Sequence, residues 1–185
     1  MSNKEGIQDF ELVARYRKGD DRAFDIVYNK YAKSILNTCM RILSSRAEAE
    51  DVVHDTFVDA LLKLDYFTYS GSFGGWLARI AINKSLELIR KRKLKWVDIE
   101  TVAEDYEDTA VQTEASQDEK FTIEHIHSTI SSLPENYRII FNLHAIDGIP
   151  QKEIAEMLNI SHNNVRIIYH RAKDKIKTKL RSEHG

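Results

Sequence analysis

Apolar residues recur along this chain at three- and four-residue steps, so the pattern predicts helices. Asp9 to Lys18 reads as a short amphipathic helix stopped by Gly19, with Asp20 or Asp21 placed to cap the next one. In that second helix Phe24, Val27, Tyr28, Tyr31, Ile35, Cys39 and Ile42 form a single buried stripe. Ser44 and Ser45 break the chain. The stretch RAEAEDVVHDTFVDALLKL then turns Val52 or Val53, Phe57, Ala60, Leu61 and Leu64 inward. Its other face carries Glu48, Glu50, Asp51, His54, Asp55 and Asp59. Asp65 to Gly75 is a loop by its Gly and Ser content. Trp76 to Lys95 is a long helix, with Trp76, Leu77, Ile80, Ala81 and Ile89 apolar and Arg79, Asn83, Lys84, Glu87, Arg90 and Lys91 outward.

The periodicity lapses from Val97 to Asp118, which reads as a polar linker, disordered or ordered only by a partner. It resumes in a helix from Glu119 to Ser131, with Phe121, Ile123, Ile126 and Ile130 on one face. Leu133-Pro134 opens another, where Tyr137, Ile140, Phe141 and His144 share a face. Ile154, Ala155 and Leu158 then mark a short helix that Asn159 stops in a left-handed conformation. Ser161 caps the last helix, whose inward positions are Val165, Ile168 or Tyr169, Ala172 and Ile176. Two helices crossing at a small residue and joined by a tight turn make a helix-turn-helix. The outward residues of the second are His162, Asn163, Asn164, Arg166, His170, Arg171 and Lys173. These are donors for phosphates and base edges, near the end of a helix that enters a major groove. A helical hairpin with a solvated polar face would show the same periodicity.

Composition agrees with an all-α fold: 42% apolar residues, seven glycines and two prolines in 185 residues. A net charge of −2 looks wrong for a nucleic-acid binder until its distribution is considered. Between Val97 and Glu119 there is no Lys or Arg, while Arg90, Lys91, Arg92, Lys93 and Lys95 crowd the stretch before it. One or two cations suffice to offset a helix macrodipole; the surplus suits a phosphate backbone, as does the basic final helix. A single cysteine, Cys39, rules out an intrachain disulfide and a cysteine-based zinc site, and its place on an apolar face makes it core. The opening MSNKEGIQDF has no signal-peptide apolar run and no stretch approaches membrane-spanning length, so the expected location is the cytoplasm.

Candidate chemistry is limited to binding surfaces. The aromatic loop, with Tyr66, Phe67, Tyr69 and Phe73, offers stacking for unpaired bases at roughly 1–3 kcal/mol each. Phe67 and Phe73 would equally serve to plug the core beneath it. The acidic face around His54 suits a basic docking partner, a solvated surface or, less readily, a metal ion. No spacing joins His125, His127 and His144 into a zinc site, and no glycine-rich phosphate loop, nucleophile elbow or paired-carboxylate arrangement appears. No cofactor and no enzymatic activity are expected.

Five stretches, in order, resemble one family: GDDRAFDIVYNKYA, AEDVVHDTFVDALLKL, FGGWLARIAINKSLELIRKRK, LPENYRIIFNLHAIDGIPQKEIAEMLNIS and YHRAKDKIKTKL. They are similar to the bacterial extracytoplasmic-function (ECF) sigma factors. The resemblance implies two small helical domains joined by an acidic linker: a region-two bundle over 8–95, the linker over 96–118, and a region-four helix-turn-helix over 119–182. It implies a non-enzymatic factor that directs core RNA polymerase to promoter DNA and promotes melting, with an anti-sigma factor left open as a further partner. Glu50, Asp51, His54 and Asp55 match the polymerase-docking helix, where the family more often has Gln at the position of His54. Phe67, Thr68, Tyr69, Ser72 and Phe73 match the loop that captures a flipped base of the minus-ten element, Thr68-Tyr69 replacing the usual basic-Gly pair. Asn83 matches an Asn near that base, and Arg79, Lys84, Arg90, Lys91 and Arg92 match the DNA-facing helix. For the minus-thirty-five element the match gives Arg138 on phosphate, with Ser161, His162, Asn163, Asn164, Arg166, His170, Arg171 and Lys173 on the recognition helix. That helix departs most: Ile167-Ile168 stand where the family tends to carry Ser-Arg, an apolar surface for a polymerase flap element, an anti-sigma factor or the core. Rivals are an ordinary helix-turn-helix repressor or activator and a metal enzyme built on the His54 face.

Overall fold

The computed structural model describes residues 2–64, 67, 72–92 and 122–182. Those residues are helical, without a strand, and the chain divides into two compact units, Met1–Leu94 and Lys95–Gly185. The expected linker, Phe121, Lys93 and Lys95 lie outside the described residues.

In the first unit α1 (Ser2–Arg17), α2 (Asp21–Leu43), α3 (Arg46–Leu62) and α4 (Phe73–Lys91) pack with α2 at the centre, against each of the other three. The expected stripe of α2 is its buried face, with Val27, Ile35, Cys39 and Ile42 all inside. The first helix starts well before Asp9. At its end Gly19 adopts φ 93°, and Arg15 pairs with Asp20 at 2.7 Å, which holds that carboxyl below its usual range. Ser44 ends α2 in the left-handed region at φ 58° and sends its N–H to the Met40 carbonyl at 3.1 Å. On α3 both Val52 and Val53 are buried, with Phe57 and Ala60, as is Leu64 just past its end, whereas Leu61 is only half-buried.

A buried carboxylate ties α1 to α2. Asp9 is 1% exposed and accepts hydrogen bonds from Lys30 Nζ at 2.8 Å and Tyr31 Oη at 2.5 Å. Burial of a carboxylate is tolerable only when it is paired and hydrogen-bonded in this way. The Asp9 contact raises the Lys30 ammonium above its ordinary pKa, and burial, with Asp9 beside it, does the same to the Tyr31 phenol.

The second unit runs α5 (Ile123–Ser131), α6 (Glu135–Phe141), a π-helical turn (Asn142–Ile146), α7 (Gln151–Leu158) and α8 (His162–Ser182). The long α8 packs on α5, α6 and α7. Thr122 caps α5, and Pro134 and Pro150 stand at the N-termini of α6 and α7, where a missing N–H is harmless. The expected stripe of α5 is not one buried face: Ile123 is 72% exposed and Ile126 is exposed too. Its last turn alone is buried, where Ile130 joins Leu133, Ala172, Ile176 and Leu180.

Candidate functional site

The helix-turn-helix forms at Asn159, whose φ of 55° turns the chain between α7 and α8. Ile160 N–H bonds the Ala155 carbonyl at 3.1 Å, closing the left-handed helix end. Ser161 Oγ then accepts from Asn164 N–H at 3.1 Å and starts α8. Ser161, His162 and Asn163 are exposed, while Arg166, His170, Arg171 and Lys173 are half-exposed. Arg166 Nη2 reaches Asn163 Oδ1 at 3.4 Å, so the two lie side by side on one face. Asn164 does not join them: it is 6% exposed, because position 164 turns toward the buried side with Val165, Ile167 and Ile168. Ile167 and Ile168 are both core. Tyr169, the alternative inward residue, is half-buried, ring to ring with Phe141 at 6.0 Å and His144 at 4.7 Å. Arg138 is half-buried on α6, and burial lowers its guanidinium pKa despite nearby Glu135.

On α4 the starting point differs from the sequence expectation. Ser72 Oγ accepts from Gly75 N–H at 3.0 Å, so the helix begins at Phe73 rather than Trp76. Phe73 (1% exposed) and Phe67 (6%) are core and present no stacking surface. Their rings meet edge-on at 5.6 Å, with Trp76 5.2 Å from Phe67 and Phe10 6.4 Å from it. Fully burying such a ring is worth about 1.5–3 kcal/mol relative to leaving it exposed. Thr68 and Tyr69 lie outside the described residues.

The cations of α4 are mostly engaged. Lys84 reaches Asp59 of α3 at 3.1 Å, on the oxygen that Lys63 holds at 3.0 Å; Lys91 pairs with Glu87 at 2.9 Å, and Arg92 with Glu48 of α3. Arg92 and Lys91 keep Glu48 and Glu87 ionised below the usual carboxylate range. For Asp59 partial burial opposes ionisation, but Lys63 and Lys84 together outweigh it and the pKa falls. Asn83 and Arg90 are exposed; Arg79 is half-buried, which lowers its pKa. The spacing of Glu87 and Lys91 is visible in the sequence. The ties between α3 and α4 are not, since they need the tertiary packing.

Glu50, Asp51, His54 and Asp55 are exposed on α3. Val58 and Leu62, the latter 71% exposed, extend the same face beyond the residues expected there. Their four-residue step from His54 is the sequence signal that marks them. A cavity of about 220 Å³ lies between α3 and α4, with Glu48, Asp51 and Asp55 on one wall, Lys84 and Lys91 on the other. Among the described residues no group of His, Cys, Asp or Glu is arranged to hold a metal ion, and no helix is long and apolar enough to cross a membrane.

A helical bundle with a basic helix, followed by a helix-turn-helix unit, defines an all-α protein of the DNA-binding class. Known proteins narrow this. Residues 27–95 match the family described as Sigma-70 region 2, and residues 123–176 that described as Sigma-70, region 4. The chain is 33% identical over 177 residues to RNA polymerase sigma-H factor of Pseudomonas aeruginosa, covering 91% of this chain and 92% of that one. It is 30% identical over 177 residues to the ECF RNA polymerase sigma factor SigW of Bacillus subtilis, with coverages of 91% and 95%. Over 184 residues it is 30% identical to the ECF RNA polymerase sigma-E factor of Escherichia coli, with coverages of 95% and 96%. The solved structure of CnrH in complex with the cytosolic domain of CnrY is similar, with a TM-score of 0.52, 26% identity and coverages of 95% and 98%. The sigma factor RpoE of Bartonella quintana, solved with the anti-sigma factor NepR, shares the fold at a TM-score of 0.53 and 20% identity, with coverages of 85% and 96%. This chain belongs to the ECF sigma factors, and so directs RNA polymerase to promoters.

Proposed function

We propose that each unit carries a separate share of promoter recognition. In the first, taken as residues 8–95, the exposed face of α3 docks on core polymerase through Glu50, Asp51, His54 and Asp55, with Val58 and Leu62 adding apolar contact. Charges at the rim of such a contact steer association, while buried apolar groups hold it. The adjoining α4 meets the minus-ten DNA through Arg79, Asn83, Lys84, Arg90, Lys91 and Arg92. Thr68 and Tyr69 offer the side chains for trapping an unstacked base, and Phe67, Ser72 and Phe73 support the loop by filling the core and capping α4. In the second unit, taken as 119–182, Ser161, His162, Asn163, Arg166, His170, Arg171 and Lys173 read the minus-thirty-five duplex, with Arg138 on phosphate.

The protein acts without enzymatic chemistry of its own, in the cytoplasm where polymerase works. CnrH and RpoE were each solved with a partner, CnrY or NepR; an anti-sigma factor for this chain follows by analogy. The observation that supports the reading is the charge pattern of one small bundle: α3 exposes Glu50, Asp51 and Asp55 beside the apolar Val58 and Leu62, and the neighbouring α4 and its C-cap carry the cations. Charge reversal on α3, Asp51→Arg with Asp55→Arg, should abolish co-elution with core polymerase and run-off transcription while leaving the helical content intact. Retained co-elution and transcription would remove α3 from the docking role.

A further inference from the structure

Of the six residues of α4 and its C-cap placed on DNA, three are already held by carboxylates of the same unit. Lys84 is on Asp59, Lys91 on Glu87 and Arg92 on Glu48. Each pair is at least partly open to water, Lys91–Glu87 the most open of them. Ion pairs this exposed are weak, enough to bias a competition and too little to lock it. A phosphate that takes Lys91 must first displace Glu87, and it then lies beside an uncompensated carboxylate.

We infer that Glu48, Asp59 and Glu87 are selectivity residues: they occupy the DNA-directed cations of α4 in place of phosphate and keep this unit weak on arbitrary DNA. The inference rests on α4 being the DNA-facing helix. Each exchange costs the pair, and the costs accumulate over three pairs. On free DNA nothing offsets them. Within a promoter complex the other contacts hold the duplex against α4, so the local phosphate concentration is high and the exchange proceeds. Non-specific affinity drops while promoter affinity, supported from elsewhere, drops less. Salt also weakens the intramolecular pairs, so loss of DNA affinity with salt is shallower than a count of cations implies.

The test uses the full chain and a fluorescent duplex lacking any promoter, with anisotropy measured over a range of salt. Glu87→Gln and Glu48→Gln should each tighten binding about 1.4- to fivefold, the change expected on losing one exposed pair, and steepen the salt dependence. Asp25→Asn removes the same charge from an exposed site on α2 and sets the effect of net charge alone. The gain from Glu87→Gln should vanish with Lys91→Ala, and that from Glu48→Gln with Arg92→Ala. Gains no larger than that of Asp25→Asn, or gains that persist without the partner cation, overturn the inference while leaving α4 on DNA. If Lys91→Ala and Arg92→Ala change DNA affinity in no background, the DNA-facing assignment of α4 fails first.

Discussion

Gly74→Ala probes how α4 is set on the bundle. A Cβ at position 74 would lie 2.6 Å from Cε1 of Tyr31, with Cδ1 and Cζ of the same ring at 3.3 and 3.4 Å. Carbon atoms pack best near 3.5–4.0 Å, so the ring must retreat by about 1 Å. It has little room to do so, because Tyr31 Oη is bonded to buried Asp9 at 2.5 Å and the ring packs 5.9 Å from that of Phe73. Overpacking of this kind costs about 1–3 kcal/mol. Stretching a hydrogen bond to a buried carboxylate puts part of a further 1.5–3 kcal/mol at risk, roughly. Against these stands the helix propensity of Ala over Gly, up to about 1 kcal/mol and less in a first turn. The balance is a loss of about 2 kcal/mol, or a fall of about 8–16 °C in melting for a unit of this size. Thermal denaturation of the full chain measures it, and amide exchange across α4 locates it. Tyr31→Leu removes the obstructing ring atoms, so Gly74→Ala should cost clearly less in that background. A Gly74→Ala protein that melts higher, or one whose loss is the same with and without Tyr31→Leu, refutes the reasoning.

The pairing of Asp9 has a consequence at high pH. Lys30 and Tyr31 both have raised pKa values, the first chiefly from the Asp9 hydrogen bond and the second chiefly from burial. A raised folded-state value stabilises fully below the unfolded value, near 10 for both, and the contribution disappears as pH climbs through the folded value. Urea midpoints should therefore fall above about pH 10, less steeply in Asp9→Asn, and an unaltered profile in that variant would count against the network. On α8, Arg166→Ala should cost about 1–3 kcal/mol on the preferred promoter and relax discrimination there; an equal loss on scrambled DNA would reduce Arg166 to a backbone contact. Ile167→Ser should destabilise the second unit by about 2–4 kcal/mol without adding promoter selectivity, since position 167 is core. Unchanged urea stability would disprove that.

Local signals are the legible ones. Asn159, Ser161 and Gly19 mark their turns by conformational preference alone, and the stripe from Val27 to Ile42 is long enough for periodicity to be decisive. The start of α4 is hidden because Ser72 and Gly75, both loop residues by composition, form a cap that extends the helix over Phe73. The departure at α5 has a different cause. Periodicity reports that Ile123, Ile126 and Ile130 share a face, but not how much neighbouring helix there is to cover it, and only the last turn of α5 is buried. Asn164 is expected outward because polar residues usually are; its burial depends on where the Ser161 cap sets the phase of α8. The interface residues are recognisable as a charge pattern, whereas their mutual occupation, with Glu48 and Arg92 far apart in the chain, is a product of the packed bundle.

The interior positions of Ile167 and Ile168 bear on how such a protein achieves selectivity. With Asn164 also buried, the polar side chains that α8 leaves open to a duplex are His162, Asn163 and Arg166, with His170 and Arg171 further along, and on the proposed reading these supply the base contacts. A good bidentate contact discriminates by about 1–3 kcal/mol, so two or three of them supply about 2–9 kcal/mol. Specific DNA binding needs about 4–10 kcal/mol over non-specific binding. The second unit alone therefore reaches the upper part of that requirement only if every contact is near its best, and a contribution from the first makes up the difference. Its basic helix adds affinity for any DNA unless the phosphate attraction is restrained, and the carboxylates on Lys84, Lys91 and Arg92 supply that restraint. A sparse recognition helix and a self-paired basic helix are, on this reasoning, two halves of one arrangement. Each is too weak to act alone, and selectivity arises when both engage the same promoter.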